Sequence, residues 1–149
     1  MYGHILVPTD GSEFAHKGVA HGLALAKRLG SKVTVIVATE PFPTMGRVAS
    51  AGWIADEDDI DRYDSRQKKF AGEVLKSVQT EAEKLGVEAG TLHVPDEWAA
   101  AAIVDCAREL GCDLIVMASH GRRGIDRLML GSQTAEVVNQ SIIPVLVVR

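Results

Sequence analysis

Cysteine is scarce. Cys106 and Cys112 are the two in the chain, and they have neither CxxC spacing nor metal-ligand neighbours. That excludes a disulfide scaffold and a cysteine-ligated metal, and both thiols are expected to be reduced packing residues. No apolar stretch reaches the roughly 18 residues a membrane span needs. Met1-Tyr2-Gly3-His4 leads straight into an apolar run with no signal-peptide pattern, so a cytoplasmic protein is expected. Basic charge is not in excess: 16 Lys and Arg against 20 Asp and Glu give 16 − 20 = −4. That balance argues against a nucleic-acid or anionic-membrane surface. Both common phosphate fingerprints are missing. No Lys follows Gly131, which removes the Walker-type Gly-Lys-Ser/Thr ending, and there is no Gly-x-Gly-x-x-Gly. HExxH, a Ser-His-Asp arrangement, internal repeats and low-complexity tracts are absent too.

What remains is an ordinary globular composition. The 149 residues are 46% hydrophobic and 24% charged, which suits a single domain over 1–149 with its own core. Short apolar runs alternate with helical periodicity. His4 to Val7 is a first strand, closed by Pro8-Thr9-Asp10-Gly11-Ser12, a turn into a helix with Ser12 as N-cap. Ala15, Val19, Gly22, Leu23, Ala26 and Leu29 then recur at helical spacing, and Gly30 ends the helix. Gly18 and Gly22 weaken it intrinsically but permit close packing on a sheet.

Lys32 to Thr39 reads as strand two. Glu40 to Ala55 is too long and irregular for a simple connection. Its Met45 and Trp53 either fold over a ligand or pack on the next helix. The acidic run Asp56 to Asp59 suits a helix start and is assigned no metal. Ile60, Tyr63, Phe70, Val74, Val78, Ala82 and Leu85 mark one helix face, ended by Gly86. Strand three is Glu88 to Val94. Pro95-Asp96 opens a helix with Ala99, Ile103, Ala107 and Leu110 inward and Gly111 as the stop. Strand four is Asp113 to Ala118, the last helix runs from Ser132 to about Ser141, and Val145 to Val148 is strand five. Such alternation gives βαβ units: an α/β fold with an open parallel sheet of five strands and helices on both faces.

The chain is organised around Met117 to Glu136, MASHGRRGIDRLMLGSQTAE. A buried strand feeds a loop with Gly121, Gly124, Arg122, Arg123 and Arg127. Gly131-Ser132 then opens a helix patterned by Ala135 and Val138, with Ser132 as N-cap. Glycines let the backbone approach oxygens, and unpaired amides at a helix start attract negative charge, so this is an anion cradle. The alternative is a surface loop with glycine turns and solvated arginines. Asp10 also has two readings, a cap of its own turn or a ligand contact at the C-terminal edge of the sheet. His120 has no orienting partner or positioned nucleophile in the sequence and reads as a hydrogen-bonding contact rather than a base.

The stretch resembles the nucleotide motif of the universal stress protein family: Gly-x-x-Gly, nine residues, then Gly-Ser or Gly-Thr. Here Ala118-Ser119-His120-Gly121 precedes the nine residues Arg122 to Leu130 and then Gly131-Ser132, with Ala118 in place of the first glycine. The resemblance covers nearly the whole chain and is weakest between about Glu40 and Ile60. It implies strand order 3-2-1-4-5, Rossmann-like in the manner of the adenine nucleotide alpha hydrolases. It also implies an adenine nucleotide as ligand, ATP or else AMP or ADP, with Mg²⁺ bound through the phosphates. By that resemblance Pro8, Ala38 and Met117 form an apolar slot for the base, and Thr9 and Asp10 lie around base and ribose. Ala118, Ser119, His120 and Gly121 pass over ribose and phosphates; by their own chemistry Arg122, Arg123 and Arg127 either clamp phosphate or stay solvated. Gly131, Ser132, Gln133 and Thr134 receive phosphate at the helix start. Where the family often has Gly-x-Pro near the phosphates, this chain has Glu97-Trp98-Ala99. A Glu97 carboxylate pointing inward would repel phosphate, and Trp98 reads as a half-buried packing residue. The implied activity is nucleotide-dependent regulation in the stress response by a homodimer paired through Val145 to Val148. The competing readings are a very slow Mg²⁺-dependent ATPase and a dimeric adaptor without ligand.

Overall fold

Side chains on the inner strands alternate between two faces, and both faces are buried. In this computed structural model, which describes residues 1–43, 56–121 and 129–149, the strands are β1 (His4–Pro8), β2 (Lys32–Ala38), β3 (Ala89–Val94), β4 (Leu114–Ala118) and β5 (Val145–Val148). The helices are α1 (Glu13–Leu29), α2 (Glu57–Leu85), α3 (Ala99–Glu109) and α4 (Ser132–Gln140). All strand pairs are parallel and the order is β3-β2-β1-β4-β5, as the resemblance implies. Ile5, Val7, Val33, Val35, Leu114 and Val116 pack on Val19 and Leu23 of α1 and on Ala71, Leu75 and Val78 of α2. The intervening Leu6, Ile36, Ile115 and Met117 pack on Ala100, Ile103 and Ala107 of α3 and on Val137 of α4. Period-two alternation with both sides covered is why these strands read as nearly continuous apolar runs.

Local chemistry sets the helix ends. The Ser12 hydroxyl accepts from the Ala15 amide at 3.1 Å. Asp56 and Asp59 form a reciprocal capping box, so the acidic run opens α2 as expected. Gly30 and Gly86 end α1 and α2 with φ of 67° and 69°, a left-handed conformation that costs glycine nothing. Some positions differ from the periodicity reading. Leu29, Ile60 and Leu110 are exposed because each sits at a helix end, beyond the cover of the sheet. In α4 the inward pair is Thr134 and Val137, while Val138 is exposed: the helix starts at Ser132, which turns 134 and 137 onto the sheet. Trp98 is 57% exposed at the N-cap of α3, not half-buried. Both cysteines are buried free thiols against the α3 face, as expected. Among the described residues no helix is long and apolar enough to cross a membrane.

One contact ties the fold to the site. A Cβ on Gly18 would lie 2.8 Å from the Ala118 amide nitrogen and 3.1 Å from the Met117 carbonyl carbon. Helix α1 therefore rests directly on the backbone of β4, at the strand end where the chain turns into the 118–121 segment.

Candidate functional site

Because β1 and β4 are neighbours while their chains leave in opposite directions, a crevice opens beyond their C-terminal ends. It holds a cavity of about 350 Å³, within the rough 300–1,000 Å³ range of small-ligand pockets. Residues far apart in sequence meet there. From β1 come Pro8, Thr9 and Asp10, and from β2 Ile36 and Ala38. Met117, Ala118, His120 and Gly121 come from β4 and the turn after it, and Gly131, Ser132, Gln133 and Thr134 from the start of α4.

Hydrogen bonds fix each edge. The Thr9 amide donates to the Ile36 carbonyl at 2.9 Å, and the Thr9 hydroxyl accepts from the Gly11 amide at 3.2 Å. The Asp10 Oδ1 atom accepts from the Ser12 amide at 2.9 Å, so Asp10 does cap its own turn. It also lines the cavity, and the two readings of this residue are compatible. A Cβ at Gly121 would come within 2.6 Å of Asp10 Oδ2. Glycine at 121 is what lets the turn after β4 lie against that carboxylate.

The segments 118–121 and 131–134 are stitched together. The Gly131 amide donates to the Ser119 carbonyl at 2.8 Å, and the buried Thr134 hydroxyl donates to the Ala118 carbonyl at 3.0 Å. A Cβ on Gly131 would sit 3.1 Å from the Ser119 carbonyl oxygen and 3.4 Å from the His120 Cα. Gly131, not Ser132, is the N-cap of α4, and no side chain caps the helix start. The first-turn amides of a helix have no intrahelical acceptor, so those of Ser132, Gln133 and Thr134 present donors and the positive end of the helix dipole to the cavity. Ser119 does not itself line the cavity. Its hydroxyl lies 3.0 Å from His120 Nδ1, which holds the ring with a neutral partner rather than a carboxylate. Gln133 has a side-chain role that the sequence concealed: its Oε1 accepts from the Ala100 amide at 3.2 Å. It thus caps α3 from outside, where Trp98 offers no capping side chain.

Arg122, with Arg123, Gly124 and Arg127, lies outside the described residues, as do Met45 and Trp53. Glu97 is not a cavity residue among those described; its amide donates to the Thr39 carbonyl at 3.2 Å. Among the described residues no group of three His, Cys, Asp or Glu could hold a metal ion.

Sequence reasoning missed one whole wall. Tyr63, Gln67 and Phe70 of α2 line the cavity with Thr39, Glu40, Ala99 and Ile103. The Tyr63 hydroxyl donates to the Glu40 carbonyl at 2.9 Å, and the Phe42 ring meets the Tyr63 ring edge-on at 5.3 Å. The signal was present in the i, i+4, i+7 spacing of 63, 67 and 70, in which a glutamine interrupts an otherwise aromatic stripe. Thr39, Glu40, Tyr63 and Gln67 also border a second hollow that runs on to Asp64, Lys68, His93 and Asp96. There the Thr39 hydroxyl and His93 Nε2 are 2.8 Å apart. Burial, seconded by the Lys68 ammonium, holds His93 below its ordinary pKa against the opposing Asp96 carboxylate.

The profile of the universal stress protein family matches residues 1–149. A universal stress protein of Methanocaldococcus jannaschii is 32% identical over 149 residues, covering 100% of this chain and 83% of its own. YxiE of Bacillus subtilis is 31% identical over 150 residues, with 100% of both chains covered. Among solved structures, a second Methanocaldococcus jannaschii universal stress protein superposes with a TM-score of 0.81 at 28% identity, covering 99% of this chain and 96% of that one. An Archaeoglobus fulgidus universal stress protein solved in complex with dAMP has a TM-score of 0.69 at 22% identity, and a universal stress protein in complex with cAMP one of 0.67 at 22%; at that distance these two show the fold. The chain belongs to the universal stress protein family.

Proposed function

We propose that the crevice binds an adenine nucleotide, ATP with Mg²⁺ carried on its phosphates, and that occupancy sets the state of a cytoplasmic homodimeric stress regulator. The observation that carries this reading is the start of α4. Three amides without a side-chain cap face a cavity whose other walls are largely apolar, which suits a ligand with an anionic end and a flat apolar end. The residues present fit such a group. At Gly121 and Gly131 a Cβ would intrude on Asp10 and on the 119–120 backbone, so both glycines keep the cradle open. In this reading the amides of Ser132, Gln133 and Thr134 hold phosphate, Gly131 lines the cradle with its own amide bonded to the Ser119 carbonyl, and Arg122 is a further contact. His120 flanks the ribose with the Ser119 hydroxyl behind it at 3.0 Å from its Nδ1 atom, Thr9 and Asp10 reach ribose and base, and Pro8, Ala38 and Met117 enclose the base. Bound ATP supplies phosphate charge for the helix start to read. No step of turnover is assigned to the chain, because the His120 ring is held by a hydroxyl and not by a carboxylate. The dAMP and cAMP complexes of related folds support the ligand class. The adaptor reading without ligand has in its favour that the motif's first glycine is replaced by Ala118, a residue that lines the cavity.

Titration calorimetry with ATP·Mg²⁺ tests the proposal. The parent protein should bind, and a Gly131→Val variant shown to be folded by circular dichroism should not, because its side chain fills the cradle. A folded variant that binds like the parent removes the cradle from the reading. A parent that neither binds nor co-purifies with nucleotide leaves the adaptor.

A further inference from the structure

Resting on the nucleotide reading, we infer that Gln67 is the residue that reads the edge of the base, through a paired hydrogen bond to the 6-amino group of the purine and the adjacent ring nitrogen. Gln67 lies between Tyr63 and Phe70 on one stripe of α2, and all three line the cavity. Gln67 is half-buried, and among the described residues its carboxamide makes no hydrogen bond. A carboxamide offers a donor and an acceptor side by side. Adenine presents the complementary pair, an amino donor beside a ring-nitrogen acceptor, and glutamine can engage it with two bonds at once.

The topology puts Gln67 at the correct end. Phosphate belongs at the N-terminus of α4, beside β4. Gln67 shares its surroundings with Thr39 and Glu40 after β2, and with the hollow that leads to the end of β3. Strand β2 is two places from β4 in the sheet, or about 10 Å at the usual strand spacing. A nucleotide with its phosphates on α4 therefore carries its base towards α2. The reverse orientation is disfavoured by charge, because the hollow beyond Gln67 holds three carboxylates, Glu40, Asp64 and Asp96, against Lys68 and a His93 kept largely neutral.

A two-by-two comparison tests the assignment: ATP against purine riboside triphosphate, which lacks the 6-amino group, on the parent and on Gln67→Met, a change of similar length that keeps helix propensity. Calorimetry should show the parent preferring ATP by about three- to tenfold, the worth of a neutral hydrogen bond. The variant should prefer it by less than about twofold, with affinity for ATP falling more than affinity for the analogue, which keeps only the ring-nitrogen bond to lose. A parent that does not discriminate overturns the inference without any variant, and so does a folded Gln67→Met that keeps the parent's preference. If the parent binds ATP but the two changes are simply additive, only the role of Gln67 falls. If it binds neither nucleotide, the nucleotide reading falls with it.

Discussion

Replacing Gly18 with alanine should destabilise the protein, although alanine is the better helix former by about 1 kcal/mol. The new methyl carbon would stand 2.8 Å from the Ala118 nitrogen and 3.1 Å from the Met117 carbonyl carbon. Neither obstacle is a side chain that can swing away. Both are backbone atoms of β4, held between β1 and β5 in the middle of the sheet. Relief requires α1 to lift from the sheet, and overpacking of that kind costs about 1–3 kcal/mol. With immovable backbone as the obstacle the upper part of that range applies, so the net loss is about 1–2 kcal/mol after the propensity gain. Gly72 supplies the control. It lies in α2, and a Cβ there would meet nothing within 4 Å, so Gly72→Ala should gain about 0.5–1 kcal/mol. Urea denaturation of the two variants should therefore differ by about 2 kcal/mol, or roughly 4–8 °C in thermal midpoint for a chain of this size. Equal stabilities, or a Gly18→Ala variant more stable than Gly72→Ala, would refute the claim that α1 rests on the β4 backbone.

Two further consequences concern titrating groups and one concerns assembly. The fold disfavours protonated His93, chiefly through burial and then through Lys68; as pH falls below about 6.5 the unfolded chain takes up that proton first, so His93's contribution is full above that pH and is lost on acidification. His93→Gln should flatten the drop in urea midpoint between about pH 7.5 and about pH 5, and an unchanged drop counts against it. Burial raises both thiols, Cys112 to about 11, so the native protein should resist a disulfide-exchange reagent near pH 8 and react at both sites only once unfolded; prompt native labelling contradicts this. β5 is an edge strand with Leu146 exposed; if it pairs with its copy, light scattering should find a dimer that Val147→Pro weakens, and a monomeric parent sinks the pairing.

The sheet was legible because burial on both faces writes itself as continuous apolar runs, and helix ends were legible where chemistry marks them: Ser12, the Asp56–Asp59 box, Gly30 and Gly86. Periodicity did less well in short helices. In α4, with 9 residues, an error of one position in the start turns the face by about 100°, which is how Val138 displaced Val137. The α2 wall was missed for a different reason. Tyr63 and Phe70 are apolar enough to pass as core, and only the three-dimensional path of α2 past the end of β2 makes them, with Gln67, part of a cavity.

Ala118 shows why a motif departure has to be judged on the backbone. The pleat sends Met117 to the side of α3 and α4 and therefore sends the next residue to the side of α1. On that side Gly18 of α1 lies against the Met117–Ala118 backbone and has no side chain to compete for the space. What the 118–121 segment contributes to the cradle is largely backbone. The Ala118 carbonyl accepts from Thr134, the Ser119 carbonyl accepts from Gly131, and the Ser119 amide donates to Val148. None of these bonds depends on the absence of a Cβ at 118. At 121 and 131 the opposite holds, since there an added carbon would strike Asp10 or the Ser119 carbonyl. The two motif glycines that this sequence keeps are two at which an added Cβ would be crowded.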